Sequence, residues 1–536
     1  MIIYIYIIIT MINHEIKQDG VINMVKLKQK IGKTDGCGEC REFGEKRQPQ
    51  VERLPTKIQQ ENIPTKETTT KPVDENKLVE VELNLNEVEG VVLNFTDVEE
   101  AVHSALSIHD AFLTLQWVLS LETTRKMVPN VQAILPEKIP PGYRLGVDGW
   151  SFSKKELEET LPDGTRKLLT LDIGLSPDAF VKKVNAGPLN ELTKRVNKYY
   201  KEICKNNCPG CFEKGNIVNY LLDFEAVKNY LEQALALGLK SVKFLGPGEL
   251  IANPDLFKIL DYFEEKNIKI GIFTKGDILG SDELAQRYHS MNSEELVRKV
   301  CEYKVVRILI DCRTFDAEKA RVMTRHTILK EAYINARNRA IELLVKNRMN
   351  ADLYCQRMSL QANPVTRSNI DEVLEIFKWG TERNIPVCVT PTMVSGLGRR
   401  LVEEAQEPEF QEKLIQLYAD IYLYLIERGI MTIEQLREEG VSSYAGTAPC
   451  NQLSCGMYIR KDGVVQRCPG NDYPEFIVAD DVRKKSLKEI WVNSQNYKLG
   501  PVFNNRCVKD GYSIPPRLYE EVLRRVEAVL KETSKL

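Results

Sequence analysis

Apolar and polar residues change their rhythm along the chain, and each rhythm predicts a different element. Residues 79–86 (VEVELNLN) alternate strictly, as a strand with one covered face does. An apolar stretch around 101–121 then reads as helix, and PEKIPPGY at 136–143 breaks the pattern, so 77–164 is expected to be a small α+β module with no assigned role. From 165 onward short β-rich runs alternate with amphipathic helices, the mark of repeated β/α units on a parallel sheet. Six strands are expected, at 168–173, 241–244, 269–273, 305–310, 352–360 and 386–390. Between the first two, Val227, Tyr230, Leu231, Ala234 and Leu235 form one helical stripe, with Gly238 placed for a left-handed C-terminus. The next helix is expected to open on Asn253 as cap with Pro254 at its first position. The fold class is therefore α/β, and six units suit an open, partial (β/α)6 barrel better than a flat doubly wound sheet. Either arrangement puts chemistry at the C-terminal ends of the strands.

Composition adds little to this until the cysteines are considered. With 43% hydrophobic and 28% charged residues over 536 positions, two or three domains are expected. The net charge is -2 and the basic residues are scattered, so a nucleic-acid partner is unsupported. The opening MIIYIYIIITMI lacks a charged flank and a cleavage site and is too short to span a bilayer, so no membrane span is expected; an overextended start, with Met11 or Met24 as the true beginning, is the plainer account. Residues 26–76 are polar and expected to be flexible, making 1–76 a disordered or flexible N-terminal segment that carries one CxxC, Cys37 and Cys40, without a partner pair. The terminal Ser534-Lys535-Leu536 matches a peroxisomal address, but three residues match by chance, and a cytoplasmic location is expected.

Thirteen cysteines are too sparse for a disulfide scaffold, and they cluster in spacings suited to metal ligation in a reducing compartment. With only five histidines, thiolate-rich iron–sulfur ligation is favoured over mixed zinc sites. Cys204, Cys208 and Cys211 form CxxxCxxC in EICKNNCPGCFEKG, where Pro209 and Gly210 tighten the loop so that three thiolates can converge. A cubane cluster usually takes four cysteines, so three from the loop would leave one iron open; a zinc knuckle or a four-ligand electron-transfer cluster is the structural alternative. One β/α unit later, the second strand ends in FLGPGE (Phe244 to Glu249), whose glycines allow close backbone approach to a small polar ligand. A simple strand-to-helix turn is its bland reading.

Together with IFTKG (272–276) and VRILID (306–311), these motifs resemble the radical S-adenosylmethionine (radical SAM) superfamily, over roughly 168–395. The resemblance implies a partial barrel of radical SAM type at 165–400 and a [4Fe–4S] cluster on Cys204, Cys208 and Cys211. It also implies S-adenosylmethionine chelated to the fourth iron, with Gly246, Gly248 and Glu249 beside its amino group. Ser359 and Asn363, at the end of the fifth strand, are further candidates for cofactor contact, and Asn369 nearby reads as a helix cap. The implied chemistry is reductive cleavage to a 5′-deoxyadenosyl radical that abstracts hydrogen, with an electron donor such as ferredoxin or flavodoxin. Two departures from the family pattern stand out. About thirty residues separate the first strand from the cysteine loop, which means an insertion or a misplaced strand, and Pro247 interrupts the usual glycine run.

A second group, Cys450, Cys455, Cys468 and Cys507, lies in the 401–536 extension. MYIRKDGVVQRC reads as a hairpin turning at Asp462-Gly463 that would bring Cys455 and Cys468 together. Structural zinc is the alternative occupant. This extension resembles the SPASM and twitch regions of the same superfamily, through Gly463, Cys468 and a following LKEIW helix, which implies one auxiliary [4Fe–4S] cluster. Cys301, Cys312, Cys355 and Cys388 are expected in core packing, with Cys312 and Asp311 at a strand end to be watched. By resemblance, the substrate is expected to be a peptide or protein side chain. A small-molecule cofactor-biosynthesis enzyme like the molybdopterin-precursor cyclase is the alternative, although its C-terminal Gly-Gly is missing here. The non-enzyme alternative is an iron–sulfur or zinc-stabilised electron-transfer or binding module.

Overall fold

The computed structural model describes residues 79–85, 88–95 and 126–533, less 189–190, 193, 197, 199–203, 215–219, 247 and 499. The apolar opening, the polar segment with Cys37 and Cys40, the expected helix at 101–121, Pro247 and the last three residues lie outside the described residues. The chain divides into two units, 1–122 and 123–536. In the first, β1 (Val79–Leu85) pairs antiparallel with β2 (Val88–Phe95), Val79 opposite Phe95, so the alternating run is a strand.

The second unit is built on one nine-stranded sheet. Six strands run parallel in sequence order: β3 (Thr170–Gly174), β4 (Ser241–Gly246), β5 (Lys269–Thr274), β6 (Val306–Asp311), β7 (Met358–Val365) and β8 (Val387–Pro391). Beyond β3 the sheet continues with β9 (Gly456–Ile459), parallel to β3, then β10 (Val464–Gln466) and β11 (Ile477–Asp481), both antiparallel to their neighbours. The order β11-β10-β9-β3-β4-β5-β6-β7-β8 ends on β11 and β8, which do not pair with each other, so the barrel is open. A doubly wound sheet reverses its strand order at a switch point. Here the order of the six β/α strands never reverses, which is barrel winding.

All six expected strands are present. The first is in place, and the extra length before the cysteine loop is an insertion that includes the helix Asp178–Asn185. The fifth begins later than expected, at Met358, because the Asn384 amide donates to the carbonyls of Asn350 and Asp352 and holds that stretch as a loop. The helix after β4 also starts later. Asn253 does not cap it; its Oδ1 accepts from the Asp255 N–H in a local turn, and the helix runs Leu256–Glu265.

The helices cover the sheet as their periodicity requires. Helix Phe224–Ala236 is capped by Asp223 and buries Phe224, Val227, Tyr230, Leu231 and Ala234, while Gly238 takes φ 93°. Each such large apolar side chain contributes about 1.5–3 kcal/mol on burial, so Leu231→Ala would cost about 2–5 kcal/mol. A strap at 143–152 crosses the N-terminal ends of the strands. Asp148 pairs with Lys269 of β5 at 2.7 Å and with Arg307 of β6, and Gly149 O accepts from Ser241 Oγ of β4 at 2.7 Å.

Candidate functional site

The open barrel encloses a cavity of about 320 Å³ running through its interior. At the C-terminal ends of the strands it is lined by Cys204, Cys208 and Cys211, and toward the N-terminal ends by Cys450, Cys455 and Cys468. The strand positions fix this polarity: Glu249 follows β4, whereas Cys455 immediately precedes β9, which starts level with β3.

The first cysteine loop is held by backbone bonds on both sides. Asn207 N–H donates to Thr324 O at 2.9 Å, Thr327 N–H to Lys205 O at 2.7 Å and Leu397 N–H to Cys211 O at 3.0 Å. The loop's exit is locked by Glu213, fully inside the protein, which accepts from Tyr458 Oη at 2.7 Å and from Lys461 Nζ at 2.8 Å, both on the C-terminal hairpin. All three thiols are free of disulfides. Burial, with help from Glu249, pushes the Cys204 thiol up to about 12, and burial with Cys208 raises Cys211. Such thiols hold their protons until a cationic centre displaces them.

Beside the loop stands an acid with a free oxygen. Glu249 is buried; its Oε1 accepts from the Lys275 N–H at 2.8 Å, and its Oε2 has no partner among the described residues. Burial and the nearby Asp277 push this carboxyl up to about 8. An orphaned buried carboxylate oxygen calls for a donor from outside the protein. Across the mouth, Arg313 donates to Cys208 Sγ at 3.8 Å and to Asp311 Oδ1 at 2.9 Å, and Asp311 also pairs with Lys275.

Comparison with known proteins bears on this half of the cavity. Residues 200–407 match the profile of the Radical SAM superfamily. Residues 200–407 are a radical SAM domain. No curated protein matches the chain. Among solved structures, SuiB of Streptococcus suis, in a structure bound to S-adenosylmethionine, aligns at 14% identity and TM-score 0.38, over 62% of this chain and 65% of SuiB, so the chain spans less than two thirds of that protein. The FeFe-hydrogenase maturase HydG of Carboxydothermus hydrogenoformans aligns at 13% identity and TM-score 0.32, over 71% of this chain and 81% of HydG. Likeness at these scores is too slight to bear on function.

The radical SAM family implies a [4Fe–4S] cluster and S-adenosylmethionine, and the residues fit both. Among the described residues no three His, Cys, Asp or Glu side chains converge closely enough to hold one metal ion, so the fit rests on the donor set. Three undisulfided thiols on one loop suit a cluster that needs one more ligand. The unpartnered Glu249 Oε2 suits an ammonium group beside it. Gly248 lines the cavity with Glu249, and Gly246 takes φ 125°, a conformation side chains rarely adopt. Asn363 also reaches the cavity, donating to Gln361 Oε1 at 3.1 Å. Ser359 stands behind the wall, accepting from Gln361 Nε2 at 2.8 Å. Asn369 precedes its helix without a side-chain cap bond and ties Arg313 O instead, at 2.9 Å.

At the other end the expected hairpin is present, with Ile459 opposite Val465 and Gly463 at φ 82° in its turn. The LKEIW segment lies in helix Leu487–Asn493. Cys507 is half-buried near Cys450 and Cys468, its thiol pushed up to about 11 by the burial it has. Burial also raises Cys455 and Cys468.

Several cavity residues escaped the sequence reading. Asp172 and Lys243 form an ion pair at 2.8 Å inside the barrel. Lone charges in the middle of the apolar runs LLTLDIG and SVKFLG were the available signal. Cys388, expected in the core, lies on the cavity wall, while Cys312 is fully buried. Trp150, Gln361, Tyr444 and Gln452 had no signal at all, because chain segments far apart in sequence bring them together.

Proposed function

We propose that this radical SAM protein is a two-cluster enzyme acting on a peptide or protein side chain bound between its two cysteine sites. Cys204, Cys208 and Cys211 would hold the cofactor-binding [4Fe–4S] cluster, and Cys450, Cys455, Cys468 and Cys507 an auxiliary one. When bound, and given one electron by a donor such as ferredoxin or flavodoxin, the first cluster and S-adenosylmethionine would supply, with release of methionine, a 5′-deoxyadenosyl radical able to take a hydrogen atom from the substrate. The chain's own residues do the positioning. Glu249 Oε2 accepts from the cofactor's ammonium group, Gly248 lets the backbone approach it, and the cations at the mouth, Arg313 and Lys275, balance negative charge there. The aromatic walls from Trp150, Phe273 and Tyr444 keep water from the reacting carbon. The observation that carries this reading is the single cavity with three thiols and an orphaned carboxylate oxygen at one end and further thiols at the other.

Anaerobic reconstitution with iron and sulfide tests it. With dithionite the protein should convert S-adenosylmethionine to 5′-deoxyadenosine, and replacing Cys204, Cys208 and Cys211 together by Ala should abolish this. Purified protein that holds zinc and no labile sulfide would overturn the reading.

A further inference from the structure

The cavity wall nearest the four-thiol site is built of donors that have nothing to bind. Gln452 is 4% exposed, and its Nε2 finds no acceptor among the described residues. Trp150 Nε1 is buried and equally unpartnered. Both side chains are seated on glycine. A Cβ on Gly271 would lie 2.7 Å from Trp150 Cη2, and one on Gly456 would lie 2.8 Å from Gln452 Nε2, so the backbone makes room for each. Lys243 joins the group, its Nζ 3.2 Å from Gln452 Oε1 and 2.8 Å from Asp172. Buried donors left unpaired cost about 1–3 kcal/mol each, and such groups ask for a ligand or ordered water.

Charge then narrows the ligand. Lys243 and Asp172 already neutralise each other inside this wall. Another net charge here would be desolvated without a counter-charge, and a carboxylate would also meet Asp172. A neutral group with both an acceptor and a donor meets every demand of the wall.

We propose that Trp150, Gln452 and Asp172 form a substrate-anchoring subsite for a neutral amide. Its carbonyl oxygen accepts from Gln452 Nε2 and Trp150 Nε1, and its N–H donates to the Asp172 carboxylate. The amide belongs either to a peptide bond or to a carboxamide. This deepens the reading above and rests on it for the cavity being a substrate chamber.

The test uses the reconstituted holoenzyme saturated with S-adenosylmethionine, without reductant, so that the cofactor's place is filled. Ligand-observed NMR and calorimetry then compare four probes of one length: N-methyl-4-phenylbutanamide for a peptide bond, 4-phenylbutanamide for a carboxamide, 4-phenylbutanoate and 4-phenylbutylamine. At least one amide should bind about tenfold more tightly than the acid and the amine, and the tighter amide tells which source fits. Trp150→Phe keeps the ring and loses only the N–H, and Gln452→Met keeps the length; each should weaken the amide by about 3- to 10-fold, as a lost hydrogen bond does. Equal or tighter binding of the acid or the amine, no binding of any probe, or variants that bind the amide unchanged would each overturn the subsite. The probe comparison on the unaltered protein stands even if a variant fails to fold. Formation of 5′-deoxyadenosine in the same preparation reports separately on the radical chemistry, so the two readings fail by different measurements.

Discussion

The two cysteine sites share a cavity but are assembled in opposite ways. At the C-terminal mouth, three thiols come from eight consecutive residues, 204–211, and stand beside a carboxylate oxygen with no partner among the described residues. At the N-terminal end, four thiols come from positions 450, 455, 468 and 507, and the buried ammonium group of Lys509 lies near them, while Lys243 is already paired with Asp172. One site is therefore short of a ligand and supplied with an acceptor for a foreign ammonium group. The other has a full set of thiols and buried counter-charge, which suits an anionic centre that only exchanges electrons. On the proposed reading, bond cleavage belongs to the mouth and electron storage to the far end.

Single cysteine changes should break that comparison most sharply. Cys208→Ala should remove 5′-deoxyadenosine formation to below detection, whereas Cys468→Ala should retain cleavage and lower the iron content from about eight to about four per chain. Product analysis by chromatography, with iron and sulfide determination, checks both. Equal loss of cleavage in the two variants would mean that the sites do not divide the labour. The link between them, Glu213 to Lys461 and Tyr458, makes cysteine variants preferable to loop deletions, since breaking a buried pair disturbs both ends at once.

The carboxylate at the mouth comes next in size. Glu249→Ala should raise the dissociation constant of S-adenosylmethionine about 10- to 100-fold, the worth of a hydrogen bond to a charged group, with both clusters intact. Calorimetry on the reconstituted, unreduced protein measures it; unchanged affinity would mean that Glu249 Oε2 faces water. At the far end, Lys509→Met removes a cation whose Nζ is otherwise held by Thr390 Oγ1 and Pro391 O. The potential of the C-terminal cluster should then fall by on the order of 100 mV while that of the first stays in place. An anaerobic redox titration followed by electron paramagnetic resonance separates them, and a shift in both centres would contradict the assignment.

The mouth was legible in the sequence and the far end only partly, for a physical reason. A loop that carries three cysteines within eight residues, and a glycine-rich strand end one β/α unit later, are local signals, as is the alternation that gave all six barrel strands. The hairpin at Asp462-Gly463 was local too, and it formed. Lys243, Cys388, Tyr444 and Gln452 meet only because strands from opposite ends of the domain adjoin in space. One of the two misplaced boundaries follows this rule; the other, at Asn253, turns on a bond to Asp255 two residues away. The Asn384 bonds that delay β7 cross 32–34 residues, beyond the reach of any periodicity.

The smallest effect concerns what holds the far wall in place. Trp150 sits on a strap whose anchor is Asp148, paired with Lys269 and Arg307 at the starts of β5 and β6. Burial alone would raise the Asp148 carboxyl, but the hydrogen bonds and charges of Arg307 and Lys269 outweigh it and hold it below the ordinary carboxylate value. A carboxyl depressed in the folded state contributes stability above its unfolded value and loses it as pH falls through the folded one. The anchor is therefore fully present at neutral pH and weakens in acid below about pH 4. Asp148→Asn should cost about 1 kcal/mol at pH 7, a small figure because water reaches and screens part of the pair, and the variant should lack that share of the acid destabilisation. Denaturant unfolding between pH 7 and pH 3 measures the difference. If the strap serves the far end alone, the variant should weaken amide-probe binding at that wall and leave S-adenosylmethionine affinity at the mouth unchanged; a loss at both ends would show that the two sites share this support.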